Sequence, residues 1–237
     1  MGRSCHIIWY DEIDSTNSEA ARRLGELDNM SVIAARCQTA GRGKDNRKWL
    51  AAPGENMTFT IVQKYALPGD EMAFLFGERP GNAPWPPFPA ACQMLISAAA
   101  AASVVRFLAE IGLCAWVKWP NDVYVDSRKI CGILTEHRTD GRHLSASIIG
   151  IGINLNQTAF PPELVNPVSV AVLTGKRFGT DVCLDRFCRI FASRMESVYS
   201  KLPHLGNVIS GAFALEDGAS GDENLRACFA QCVNVLL

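Results

Sequence analysis

CAWVKWPNDVYVDSRKICGILTEHR, residues 114–138, sets three short runs of β-branched, aromatic and aliphatic residues between two clusters of turn formers. Pro120, Asn121 and Asp122 supply the first turn, and Asp126 to Lys129 the second. Turns this tight join antiparallel neighbours, because a parallel connection needs a crossover of a dozen or more residues. The segment is expected as strand, turn, strand, turn, strand.

Working outward, HLSASIIGIGINLNQ (143–157) reads as a further strand that loses its side chains at Gly150 and Gly152. Ahead of Cys114 lies a long apolar helix, about 91 to 111, ended by Gly112. Before it, LPGDEMAFLFGERPGNAPWPPFPAA carries prolines at 80, 84, 86, 87 and 89, which forbid a helix or inner strand and imply an exposed excursion. The N-terminal part gives a strand (HIIWYDEI), then a helix (STNSEAARRLGEL) capped by Ser15 or Thr16 with Glu19 early in its first turn. A strand (SVIAARC), a basic loop and an alternating strand (NMTFTIVQKY) follow. Toward the C-terminus come a short helical piece, a turn and a final helix near 181 to 201. Strands and helices mix without a steady βαβ repeat, so the expected class is α+β, a mixed and largely antiparallel sheet packed against helices.

The 237 residues, 48% hydrophobic and 20% charged, suffice for a substantial core. A net charge of -1 argues against a general nucleic-acid binder, so any phosphate chemistry is local. The nine cysteines show no CxxC pair and no nearby His at zinc spacing, and read as reduced, mostly buried thiols of a cytoplasmic protein. The N-terminus reaches acidic residues too soon for a signal peptide. Arg106 and Glu110 interrupt the longest apolar run, which reads as a buried helix rather than a membrane span.

Familiar phosphate motifs fail. TGKRF lacks the glycine that opens a Walker loop, since Val170 and Ala171 stand where it would be; GIGINL reaches Leu155 where a dinucleotide fingerprint needs its third glycine. Three polar segments remain: QTAGRGKDNRKW (38–49), KWPND (118–122) and SRKICGIL (127–134). In the first, glycines let backbone N–H groups approach an anion, and Arg42 and Lys44 add charge-assisted hydrogen bonds. Each feature also has a plain structural reading: a solvated loop, a surface pair at Arg128 and Lys129, an Asx turn at Asn121, a bulge at Gly150 and Gly152, a helix cap at Ser15 to Asn17. The residues alone lead to an anion-binding α+β protein.

Taken in order, STN, QTAGRGKDNRKW, GENMTFTIV, VKWPNDVYVDSRKICGILTEH and IIGIGINLNQ resemble the catalytic domain of biotin protein ligases, over about residues 6 to 175. The resemblance implies a class II synthetase-like fold and a two-step reaction. Biotin attacks the α-phosphate of ATP to give biotinyl-5′-adenylate and pyrophosphate, and a lysine of a biotin carboxyl carrier protein then takes the biotinyl group. It also implies the roles. Ser15, Thr16, Asn17 and Gln38 line the biotin pocket; Arg42, Gly43 and Lys44, with Gly41, close over carboxylate and α-phosphate. Trp49 packs on adenine, and Lys129 neutralises charge between carboxylate and phosphate. Asn121 and Asp122 meet the nucleotide and the incoming lysine, Gly132 completes the nucleotide side, and Asn154 stands near the phosphates and an ATP-borne Mg²⁺. No motif binds metal directly. Partners are the carrier protein, with no nucleic acid and no membrane, in a monomer or homodimer.

Several departures accompany the resemblance. Lys44 replaces an Arg and loses its bidentate contact; Asn46 replaces a Gly, a milder change because Asn tolerates positive φ. Residues 77–90 look like an insertion. The family usually ends in an SH3-like barrel, whereas 202–237 shows no run of alternating strands, so 1–201 is expected as catalytic domain and 202–237 as an atypical tail. The rival readings are a lipoate or octanoate ligase, a non-catalytic biotin or adenylate binder, and a biotin-operon repressor, which would need a helix-turn-helix ahead of the first strand. With four like charges and few apolar residues, Gln38 to Trp49 is expected to be mobile until an anion is bound.

Overall fold

The structure is a computed structural model and describes residues 5–68, 83–214 and 221–237. In chain order the elements are β1 His6–Ile13, α1 Thr16–Arg22, β2 Ser31–Gln38, β3 Met57–Lys64, β4 Phe88–Pro89, α2 Met94–Glu110, β5 Ala115–Lys118, β6 Asp122–Val125, β7 Arg128–Asp140, β8 His143–Ile153, α3 Val170–Thr174, α4 Thr180–Ala214 and α5 Gly221–Leu236.

The eight strands form one mixed sheet in the order β1-β2-β3-β8-β7-β6-β5, with β4 paired to β8 off this path. Only β1 and β2 run parallel, because α1 crosses between them; every other pair is antiparallel. The α+β expectation is met. The stretch from Cys114 folds as expected too, β5, β6 and β7 being joined by turns at Trp119 to Asn121 and at Asp126, whose φ is 52°.

Helices cover both faces of the central strands, so β3 is buried along its length rather than on alternate residues. Phe59 and Ile61 meet the main core under α2, α4 and α5. On the other side α1 seals a smaller cluster of Ala20, Leu27, Ile33, Val62 and Ile148. α2 is fully buried from Ala98 to Val104, which places the long apolar run inside the core. Its alanines leave room for Phe187 of α4, whose ring meets Phe59 at 5.2 Å and Phe107 at 6.1 Å.

Two expectations are corrected. The proline-rich stretch is not an exposed excursion where it is described; residues 69–82, including Pro80, lie outside the described residues. Trp85 and Phe88 are buried, Trp85 stacks on Tyr199 of α4 at 4.9 Å, and Phe88-Pro89 adds a two-residue strand to the end of β8. Proline removes donors but leaves neighbouring aromatics free to pack, and a short edge strand tolerates the missing N–H. The final helix does not stop near 201, because α4 runs on through Pro203 and Gly206 to Ala214. The C-terminal residues 221–236 form helix α5, and no strand among the described residues lies beyond Ile153. Cys228, Phe229, Cys232, Val233 and Leu236 recur at helical spacing and join the main core. The nine cysteines are free and six are buried, as the sequence suggests.

Candidate functional site

A cavity of about 530 Å³ opens on the α1 side of the sheet. It gathers thirteen of the fourteen residues singled out from sequence: Ser15, Thr16, Asn17, Gln38, Arg42, Gly43, Lys44, Trp49, Asn121, Asp122, Lys129, Gly132 and Asn154. Gly41 does not line it. That glycine is required for another reason: a Cβ there would overlap the Trp49 carbonyl, to which the Gly41 backbone is tied by Trp49 N–H donating to Gly41 O at 2.9 Å.

One end is a fixed polar network. Ser15 caps α1, its hydroxyl accepting from Ser18 N–H at 3.5 Å. Thr16 donates to Gln38 Oε1 from both its backbone N–H, at 2.7 Å, and its hydroxyl, at 3.1 Å. Thr60 donates to Asn17 Oδ1 at 2.6 Å, its hydroxyl oxygen lying 2.9 Å from Thr16 Oγ1, and Asn17 Nδ2 donates to Glu136 Oε2 at 2.9 Å. Ser15, Thr16, Asn17 and Thr60 are buried, Gln38 and Glu136 half-buried, and the mutual bonds lock their orientation.

Gly150 and Gly152 form no bulge, for β7 and β8 stay in register past them, Leu134 facing Gly150 and Gly132 facing Gly152. They are glycines because of what lies on top. A Cβ at Gly150 would overlap the Asn17 carboxamide, and one at Gly152 the Trp49 indole; Gly132 lies under the same indole, where a Cβ would meet Cζ3 at 3.0 Å. Trp49 thus rests on a shelf of bare backbone, with Lys129 Nζ 6.0 Å from its ring centre.

The basic loop folds as a small hairpin. Gly43 N–H donates to Arg47 O at 2.7 Å and Arg42 bridges Lys48, closing a small hairpin with Lys44 to Asn46 at its tip. Like-charge repulsion is relieved within the protein, because Arg42 reaches across to Glu136, Nη2 donating to Oε1 at 2.8 Å and Nη1 to Oε2 at 3.3 Å. Burial pushes the Glu136 carboxyl up, but the bonds from Asn17 and Arg42 together outweigh it and hold it below its ordinary value. The left-handed residue at the tip is Asp45, φ 57°, so the positive φ falls there rather than at Asn46.

The KWPND turn brings the remaining groups. Asn121 donates to Ile133 O at 3.2 Å while Ile133 N–H donates to Asn121 O at 2.8 Å, fastening the turn to β7. Its Trp119-Pro120 bond is cis, and Trp119 packs edge-on against Phe229 of α5 at 4.6 Å. Asp122 and Lys129 form an ion pair at 2.7 Å, both side chains partly exposed. Asn154 is buried and donates to Val168 O at 3.0 Å. Sequence reasoning missed Thr60 and Glu136, which look like ordinary strand residues; their alternation with Phe59, Ile61 and Ile133 onto the α1 face was the available signal.

Cationic, hydrogen-bonding and bare-backbone surfaces thus meet in one cavity, in the chain order of the motifs. A profile of the biotin/lipoate A/B protein ligase family matches residues 9–154. The chain belongs to that family. It is 32% identical over 186 residues to the biotin–[acetyl-CoA-carboxylase] ligase of Paracoccus denitrificans, covering 76% of this chain and 68% of that protein. Over 162 residues it is 31% identical to the bifunctional ligase/repressor BirA of Bacillus spizizenii, covering 67% of this chain and 44% of the relative, so it spans less than half of that protein's length. Among solved structures it resembles the biotin protein ligase from Aquifex aeolicus in complex with biotin and ATP, at a TM-score of 0.62 and 26% identity, over 83% of this chain and 72% of that one. The ligase family fold and the mixed eight-stranded sheet therefore agree.

Proposed function

We propose that the protein is an ATP-dependent biotin protein ligase that forms biotinyl-5′-AMP and transfers biotin to a lysine of a biotin carboxyl carrier protein. The observation that carries this is the meeting of Arg42, Lys44 and Lys129 with the locked Ser15, Thr16, Asn17 and Gln38 network in one cavity. The names of the relatives support it.

Adenylation brings a carboxylate and a triphosphate together, and fixed cations lower that barrier most when they are already in place. The Ser15 to Asn17 network and Gln38 hold the ureido ring, since each presents a donor or acceptor whose other partner is fixed. Arg42, Gly43 and Lys44 close over carboxylate and α-phosphate, with Lys129 between the two anions. Trp49 packs on adenine with the face that Gly132 and Gly152 do not cover, and Asn121 meets the nucleotide. When Lys129 turns to the substrate anions its pairing with Asp122 loosens, and Asp122 becomes free to orient the acceptor amine and take its proton.

Among the described residues no group of three His, Cys, Asp or Glu side chains converges on a metal. We assign Mg²⁺ as a companion of the ATP phosphates, beside Asn154, where it would neutralise phosphate charge. We further assign residues 1–201 to the catalytic domain and 202–237 to a C-terminal tail atypical of the family, in a cytoplasmic monomer or homodimer that binds neither nucleic acid nor membrane. The test is transfer: with biotin, MgATP and a purified carrier domain, mass spectrometry should find biotin on one carrier lysine. A product with lipoate or octanoate and none with biotin would overturn the assignment.

A further inference from the structure

A second concavity, of about 520 Å³, lies on the outer surface of the helical layer, across the sheet from the first cavity. It shares no residue with the site above. On α4, Arg186, Arg189, Ile190, Ser193, Arg194 and Ser197 recur at helical spacing and form one stripe; Arg106 and Glu110 of α2 face it.

Its charges do not balance. Glu110 serves two guanidinium groups, accepting from Arg106 at 3.2 Å and from Arg186 at 2.5 Å, and Arg189 pairs with Asp185 on its own helix. Arg194 pairs with no carboxylate among the described residues, and its Nε, shut off from solvent, has no acceptor there. Burial, and next the neighbouring Arg106, pull Arg194 below its ordinary pKa, as expected of two guanidinium groups crowded without a counter-ion. A chain with a net charge of -1 has concentrated four arginines around one glutamate in a groove that also offers two hydroxyls.

We propose that this groove binds a phosphate oxyanion, inorganic phosphate or pyrophosphate, between Arg106 and Arg194. Arginine also donates through its terminal Nη groups, so a tetrahedral oxyanion lying between Arg106 and Arg194 meets the charge that no carboxylate balances. Ser193 and Ser197 supply further donors along the same stripe. The site is independent of the ligase reading, since none of its residues lines the first cavity.

The test follows the arginine Nε–H resonances of the ¹⁵N-labelled full chain during titration with phosphate and with pyrophosphate, and with citrate as a polycarboxylate control. The Arg194 signal, assigned with Arg194→Lys, is expected to shift saturably. Binding should weaken about tenfold or more in the Arg106→Gln/Arg194→Gln double variant, and stay unchanged in Arg42→Gln/Lys129→Gln, which disables anion binding at the first cavity. The wild-type titration decides the matter even if the double variant fails to fold. No Arg194 shift up to about 10 mM, an equal response to citrate, or binding lost only in Arg42→Gln/Lys129→Gln would overturn the proposal.

Discussion

The two faces of the sheet are drawn from alternate residues of the same strands and differ in kind. On β3 and β8, Phe59, Ile61, Ile149, Ile151 and Ile153 enter the main core with α2, α4 and α5. Their neighbours Thr60, Gly150 and Gly152 face α1 and the cavity, where they either hydrogen-bond or stand aside for Asn17 and Trp49. One face is specified by volume and the other by pairing and by side chains that are missing. Changes on the first should therefore act on stability, and changes on the second on chemistry.

The largest separation is expected from Phe187→Ala. Deleting a fully buried ring that touches Phe59, Phe107 and Phe191 should cost about 3–5 kcal/mol of unfolding free energy. Denaturant melts should show the loss, while adenylation per folded molecule stays near normal. A catalytic defect without a stability loss would break the distinction between the faces.

Lys129→Ala is the converse. Its ion pair with Asp122 is partly exposed, so stability should change by no more than about 1 kcal/mol. Biotinyl-adenylate formation should fall by about 10²–10³-fold, the usual effect of removing one stabilising donor from a developing charge. Normal adenylate formation in the folded variant would show that another cation does this work.

Adjacent residues Glu136 and His137 put a titratable group on each face. His137 accepts or donates at Nδ1 with Ser147 Oγ, 2.8 Å away, and burial lowers its pKa from 6.5 to about 4. Between those values the unfolded chain takes up a proton that the folded protein refuses. Stability should thus fall as pH drops from 6.5 toward 4, by up to about 3 kcal/mol. Glu136 has a depressed pKa; its contribution is present above the ordinary carboxylate value and disappears only as pH falls through the depressed one, at the acid end. His137→Gln should flatten the first limb in melts recorded across pH. An unchanged limb would place the proton uptake elsewhere.

The smallest effect is expected from Asp122→Asn. It should slow biotin transfer to the carrier about tenfold while leaving adenylation nearly intact, because the amide keeps the shape but cannot take a proton. Equal loss in both half-reactions would make Asp122 a turn residue and no more.

Much of this arrangement is legible in the sequence, for identifiable reasons. β5 to β7 and the turns between them follow from strand formers separated by Pro120-Asn121-Asp122 and Asp126-Ser127, and thirteen of the fourteen selected residues line the cavity because the motifs sit at strand ends, where loops converge. The roles of Gly150 and Gly152 were hidden, since a glycine in a strand does not announce which side chain lies across it. Glu136 was hidden because its partners Asn17 and Arg42 are more than ninety positions away. Trp85 and Phe88 were misjudged through their prolines, and the length of α4 because Pro203 and Gly206 read as helix breakers in the sequence although the helix runs through both.

The central claim, that the polar face activates biotin, is tested most directly by exchange of labelled pyrophosphate into ATP. The protein should catalyse this exchange only when biotin and Mg²⁺ are present, and Lys129→Ala should lose it. Exchange that is absent with biotin in a folded preparation, or that proceeds equally without biotin, would contradict the account.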